Sequence, residues 1–364
     1  MIPVYQPYFN GREKEYVNQC LDSTWISSKG EFIGKFESAF ANYVGAQGGA
    51  TSVCNGTVAI HLALAALGIG PGDEVIVPTF TYIASVNTII QTGATPVFVD
   101  SLQATWQVDP EDIRKKITPR TKAVMAVHLY GQSCDMDPIV QICKENNLLL
   151  VEDCAEAFGS YYKGRHVGTF GDVATFSFFG NKTITTGEGG MVIAKDAAVL
   201  AKAFHLKNQG VSSSREYWHD IVAYNYRMTN ICAAIGLAQL EQADVILEKK
   251  RQIALWYEEA LQGLPLEVHR EESGTTHSFW MCSVLVNDAT QRDGLRQHLR
   301  EQGVETRPVF YPAHTMPHCQ AEGVFPVAEH LGARGINLPS FPALAFENVQ
   351  DIAKHLRLFF ENLV

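Results

Sequence analysis

"LLLVEDCAEAFGS", residues 148–160, runs from four apolar residues into two adjacent acids and then into small residues. A strand that is apolar on both faces belongs inside a sheet, most often a parallel one covered by helices. Carboxylates at the end of such a strand fall where open α/β sheets bind ligands, beyond the carboxyl ends of the strands. The stretch therefore predicts a covered sheet and a site near Glu152 and Asp153.

The neighbouring sequence repeats the pattern. "DEVIVPT", "ATPVFVD", "TKAVMAVHL", "VATFSFF" and "GGMVIA" each read as a short buried strand. Between them "TVAIHLALAAL", "ASVNTIIQTG" and "MDPIVQICKENN" have helical spacing and end near Gly or Asn-Asn. That alternation predicts an α/β sandwich with helices on both faces. After it comes one long helical stretch, 230–264, which reads as a bridge from a large domain, 1–240, to a small one, 241–364. The remainder is mixed. "FWMCSVLV" and "VETRPV" read as strands, "QRDGLRQHLREQG" as a helix, with a last helix from about 348, which predicts a compact α+β C-terminal domain.

Composition narrows the function. The chain has 364 residues, 46% of them hydrophobic, enough for a substantial core. A formal charge of −10 disfavours nucleic-acid or anionic-membrane binding. No apolar run approaches a membrane span, and the N-terminal "MIPVYQPYFNGREKEY" does not read as a signal peptide, so a cytoplasmic enzyme is expected. The eight cysteines form no CxxC pair, which fits buried reduced thiols rather than a disulfide framework or a zinc site, and no metal is expected.

The chemistry gathers around one lysine. "FSFFGNKTITTGEGG", 176–190, places Lys182 between an apolar strand and a glycine-dense turn, where a charged amine is costly unless shed or paired. "GNKT" is not a phosphate loop, because Asn181 separates the glycine from the lysine. "GIGPGD", 68–73, has the wrong spacing for a dinucleotide fingerprint. "CNGTVAIHLAL" opens a helix at Asn55-Gly56-Thr57, which serves equally as an ordinary N-cap or as a phosphate cradle. A phosphate cradle, a strand-end acid and a desolvated lysine together suggest pyridoxal 5'-phosphate (PLP) chemistry.

Read together, these motifs resemble the DegT/DnrJ/EryC1/StrS nucleotide-sugar aminotransferases, essentially end to end. The likeness rests on "NGTVAIHLAL", "DEVIVPTFTYIAS", "GATPVFVD", "VHLYGQSCDM", "VEDCAEAFG", "GDVATFSFFGNKTITTGEGGMV", "YNYRMTNICAAIGLAQLE" and "RPVFYPAHTMP". It implies the fold type I (aspartate aminotransferase-like) three-layer sandwich. "STWISSKGEFI", "GNKTITTGEGG" and "GINLPSFP" resemble most the branch that forms GDP-perosamine from GDP-4-keto-6-deoxymannose for O-antigen polysaccharide. A 3- or 4-aminotransferase on a UDP- or dTDP-linked keto sugar is the alternative. A sugar dehydratase is the weaker one, because that branch replaces the lysine with histidine.

The resemblance also implies roles. Lys182 matches the Schiff-base lysine and proton carrier, and Asp153 the acid paired with the pyridine nitrogen. Gly56, Thr57 and Ser177 match phosphate contacts, and Tyr82 the aromatic residue against the cofactor ring. Asn225 matches an asparagine that reaches the phosphate from a partner subunit, which implies a homodimer with shared sites. Glu156 stands where many members carry Gln or His near the cofactor's phenolic oxygen, and is expected to be protonated or turned away. Ser27, Lys29, Arg227, Arg307 and His314 fall in motifs near the nucleotide sugar, with glutamate/2-oxoglutarate as the other substrate pair. Trp25 and Tyr311 are read as packing residues.

Overall fold

The computed structural model describes residues 1–362. Its main sheet has seven strands: β1 (Ala50–Val53), β2 (Glu74–Pro78), β3 (Thr95–Val99), β4 (Thr121–Val127), β5 (Leu149–Asp153), β6 (Val173–Ser177) and β7 (Gly190–Ala194), in the order β1-β7-β6-β5-β4-β2-β3. The pairings among β3, β2, β4, β5 and β6 are parallel, and β7 runs antiparallel to both neighbours. Pro96, which cannot donate to a ladder, sits on the edge strand β3.

The strands are apolar throughout because each side faces a core. Val75 and Val77 of β2 enter one hydrophobic cluster, while Ile76 between them enters another on the opposite face. In β7, Val192 and Ala194 face one way, Met191 and Ile193 the other. Over one face lie α1 (Glu13–Ser23), α2 (Glu31–Val44), α5 (Pro110–Lys116) and α6 (Met136–Glu145), with Phe36 and Phe40 of α2 set against Phe176 and Phe178. Over the other face lie α3 (Gly56–Leu67), α4 (Ile83–Gln91) and α7 (Ala197–Lys207). Seven of the twelve α3 residues are buried, which explains its mostly apolar sequence.

The helical stretch expected over 230–264 is two helices, α8 (Asn230–Glu241) and α9 (Ala243–Ala260). Gln242 leaves the helical region at φ −105°, ψ 6°, and the last turn ends before 264. The stretch passes from one core to another beyond the break, since Ala243 and Ile246 of α9 still pack with α8. Ala233, Ala234 and Ala238 join Phe36, whereas Ile253 and Tyr257 join the C-terminal cluster. That cluster is built on a four-stranded antiparallel sheet of β8 (Leu266–Val268), β9 (Cys282–Val286), β10 (Arg307–Pro308) and β11 (Gly335–Leu338), ordered β8-β9-β11-β10. With it pack α10 (Arg292–Glu301), α11 (Pro326–Arg334) and α12 (Phe346–Glu361). The first residues join this unit as well, because the Ile2 N–H donates to Gly303 O at 2.7 Å. Among the described residues no helix is long and apolar enough to cross a membrane.

Candidate active site

Parallel pairing brings the carboxyl ends of β2, β4, β5 and β6 to one rim of the sheet. There a cavity of about 540 Å³ opens, within the roughly 300–1,000 Å³ typical of ligand pockets. Gly56, Thr57, Tyr82, Asp153, Glu156, Ser177, Lys182 and Arg307 all line it. A second cavity of about 420 Å³ lies beside Arg165, His166 and Lys195, near the start of β6 and away from these groups.

Glu152 and Asp153 point to opposite sides, as successive strand residues must. Glu152 turns away from the cavity and accepts the N–H groups of Gly168, Phe170 and Gly171 at 2.6–2.7 Å. Asp153 faces the cavity. Its Oδ2 accepts the Ser85 hydroxyl at 2.8 Å, and its Oδ1 the Ala155 N–H at 3.0 Å. Burial pushes its carboxyl up, against those two hydrogen bonds and the Lys182 charge.

Lys182 is inside, its side chain only 14% exposed. Its Nζ lies 3.6 Å from Glu156 Oε1 and 3.9 Å from the centroid of the Trp280 ring. Burial lowers its pKa, opposed by Glu156 and then Asp153. Its backbone is held as well. The Tyr5 hydroxyl donates to Lys182 O at 2.6 Å, and Trp280 Nε1 donates to Asn181 O at 2.7 Å. Glu156 is not turned away. It faces the lysine, accepts the Tyr130 N–H at 3.0 Å, and burial raises its carboxyl to about 7.

At the other end of the cavity Asn55 caps α3, its Oδ1 accepting the Val58 N–H at 3.0 Å. The amides of Gly56 and Thr57, in the first turn, have no intrahelical acceptor and carry the positive end of the helix dipole. Ser177, the last residue of β6, closes against them. A Cβ on Gly56 would lie 2.6 Å from Ser177 Cβ, so only glycine permits this approach. Tyr82 stands 56% exposed on the wall, 5.5 Å between ring centroids from Phe310.

The remaining expected residues lie outside the cavity of this chain. Asn225 is exposed, and its Oδ1 accepts Arg227 Nε at 2.9 Å. Ser27 and Lys29 are exposed in a loop gripped by Asn230, whose N–H donates to Ser27 O at 2.7 Å. His314 is buried, with Nδ1 2.7 Å from the Thr79 hydroxyl, and serves the packing beneath the rim. Trp25 and Tyr311, read as packing residues, are 57% and 48% exposed, because neither falls under a covering element. Sequence reasoning missed Ser85, Tyr130 and Trp280. Only Tyr130, beside Gly131 in a turn-like "YGQS", carried a local signal.

These groups suit PLP: unpaired helix amides and a close-set serine for a phosphate, an exposed aromatic face for a ring, a buried acid and a desolvated amine. Fold and site define a PLP-dependent enzyme of the fold type I architecture. A family model for the DegT/DnrJ/EryC1/StrS aminotransferases matches residues 7–357. The chain is 59% identical over 362 residues to the GDP-perosamine synthase of Escherichia coli O157:H7, covering 99% of each chain. It is 53% identical over 365 residues to the enzyme of that name from Vibrio cholerae, again covering 99% of each. The solved PLP form of Spr1654 from Streptococcus pneumoniae superposes with a TM-score of 0.94 at 28% identity, covering 100% of this chain and 99% of that one. The chain belongs to the DegT/DnrJ/EryC1/StrS aminotransferase family.

Proposed function

We propose that this protein moves the amino group of glutamate to C4 of GDP-4-keto-6-deoxymannose, forming GDP-perosamine in the cytoplasm. The observation that carries the amino-transfer reading is the Lys182 amine, buried between two carboxylates beside a helix N-terminus. The full-length relatives named GDP-perosamine synthase support the substrate.

In this reading the amides of Gly56 and Thr57 and the Ser177 hydroxyl hold the phosphate of PLP, and Tyr82 packs on its ring. Asp153 holds the pyridine nitrogen in its protonated form. When bound, PLP supplies an aldehyde that exchanges amines and a ring that takes up the electron pair left when a C–H proton departs. Lys182 is the residue placed to move that proton, and desolvation keeps a fraction of its amine neutral. Trp280 excludes water from its far side. Arg307, 58% exposed at the mouth, is placed to meet the diphosphate.

We place the active unit as a homodimer. Asn225 and Arg227 do not line their own chain's cavity, and they follow a loop that exposes Trp218, Ile221 and Val222, the last 97% exposed. Apolar side chains gathered in one loop are suited to cover by a second copy. From the partner, Asn225 would reach the cofactor phosphate, and Arg227, Lys29 and Ser27 the nucleotide sugar.

The test is incubation with PLP, glutamate and GDP-4-keto-6-deoxymannose, reading the nucleotide amino sugar by mass. Wild-type protein forms it and folded Lys182→Ala does not. Product formation by Lys182→Ala at the wild-type rate overturns the reading.

A further inference from the structure

Two carboxylates approach Lys182, but they are not equivalent. Both Asp153 oxygens already accept hydrogen bonds, from Ser85 and Ala155. Glu156 spends only one. Its Oε2 takes the Tyr130 N–H, and its Oε1 faces Lys182 Nζ at 3.6 Å. That looser separation is common in sites without substrate and tightens on binding.

The backbone is strained to make this arrangement. Tyr130 sits at φ 57°, ψ 9°, the left-handed region that a bulky aromatic residue rarely adopts. The conformation is held from outside. The Tyr130 hydroxyl accepts the Phe310 N–H at 2.9 Å, and its ring stacks on Phe310 and Trp280, at centroid distances of 5.2 and 6.0 Å. What the strained turn delivers is an N–H aimed at Glu156. Trp280, from the C-terminal unit, closes the other side of the lysine. The titratable groups facing the pair are Asp153 and the Tyr130 phenol, and the Trp280 ring covers one side of the lysine.

An ammonium and a carboxylate held this deep both lose hydration, and one proton transfer neutralises both. We propose that Glu156 is the proton store of Lys182. The ammonium gives a proton to Glu156 Oε1, breaking N–H and forming O–H. The N–H electron pair stays on nitrogen as the free amine, and the reverse step restores both charges. No oxidant or reductant is involved. Burial supports the exchange by lowering the lysine and raising Glu156 towards each other, so the two titrate as a pair. The inference rests on the aminotransferase reading, in which Lys182 must alternate between amine and ammonium.

The test compares wild type, Glu156→Gln and Glu156→Asp. In the cofactor-free protein, the rate at which an amine-selective acylating reagent labels Lys182 is mapped against pH by peptide mass. Removal of the carboxylate takes away the ammonium's counter-charge, so in Glu156→Gln the labelling curve moves to lower pH by more than one unit. In the PLP-loaded enzyme Glu156→Gln keeps the cofactor and a sugar KM within about threefold, while kcat falls by about 100-fold. Glu156→Asp, which keeps an acid, recovers at least a tenth of the wild-type kcat. Wild-type kcat with an unshifted labelling curve in Glu156→Gln overturns the proposal, and so does a Glu156→Asp no better than Gln. If wild type aminates no GDP sugar but the labelling curves still separate, the substrate reading fails and the proton store stands.

Discussion

Replacing Gly56 with alanine tests the phosphate cradle without touching a titratable group. The new Cβ would stand 2.6 Å from Ser177 Cβ and 2.8 Å from Ser177 Oγ, with the Ser177 backbone behind them. Carbon atoms at rest lie about 3.5–4.0 Å apart, so the helix start or the strand end must move by roughly 1 Å. Such overpacking costs about 1–3 kcal/mol, and the gain in helix propensity returns at most about 1 kcal/mol. The larger effect falls on the cofactor. A shift of that size spoils one hydrogen bond from the Gly56 and Thr57 amides to a charged phosphate, worth about 1.5–3 kcal/mol. At about 1.4 kcal/mol per tenfold, PLP affinity falls by roughly 10- to 100-fold. The assay is a spectrophotometric PLP titration of cofactor-stripped protein, together with a melting curve. Gly180→Ala is the control, since a Cβ there meets nothing within 4 Å. It should leave both readings unchanged. If Gly56→Ala binds PLP as tightly as Gly180→Ala and melts with wild type, the cradle reasoning is wrong.

Two further outcomes are expected. His269 and His277 form a buried one-way relay, in which the Phe279 N–H donates to His277 Nδ1, His277 Nε2 faces His269 Nδ1 at 3.4 Å, and His269 Nε2 faces Thr105 O at 3.0 Å. Burial lowers His269 to about 4 and His277 well below its ordinary value, so only the neutral rings fit. Unfolded histidine takes its proton near 6.5, so stability is complete above that pH and is lost as pH falls from about 6.5 to 4, by about 3 kcal/mol for His269. Urea midpoints at pH 7.5 and 5.0 should separate less in His269→Gln than in wild type, and an equal separation contradicts the relay. For the shared site, mixing inactive Lys182→Ala with inactive Asn225→Ala subunits should restore one competent site per mixed dimer. No recovery after proven subunit exchange would mean that Asn225 serves its own chain.

Much of this arrangement is legible in the linear chain, for identifiable reasons. Strands β2, β4, β5 and β6 are covered on both faces, so "EVIVP" and "LLVED" are apolar without alternation and announce a parallel sheet. β1, "ATSV", escaped notice because its small and hydroxyl residues look like a turn. The antiparallel direction of β7 depends on the return of the chain through the Lys182 loop and has no local sign. Nor has the break at Gln242, which carries no Gly or Pro. Lys182 was readable as a lone amine against an apolar strand. Trp280, 98 positions away, meets it only through packing of the C-terminal unit on the sheet. Glu156 was noticed as a departure from the family pattern, but its orientation depends on the strained turn at Tyr130.

The substrate is the claim on which the account turns, and direct competition tests it. GDP-, UDP- and dTDP-linked 4-keto-6-deoxy sugars are supplied together at equal concentration with PLP and glutamate, and the amino products are separated by mass. A site that hydrogen-bonds one base edge penalises another base through the polar groups it leaves unpaired. The account predicts that GDP-perosamine dominates the product mixture and that no product forms without glutamate. A mixture dominated by a UDP- or dTDP-linked amino sugar would contradict it.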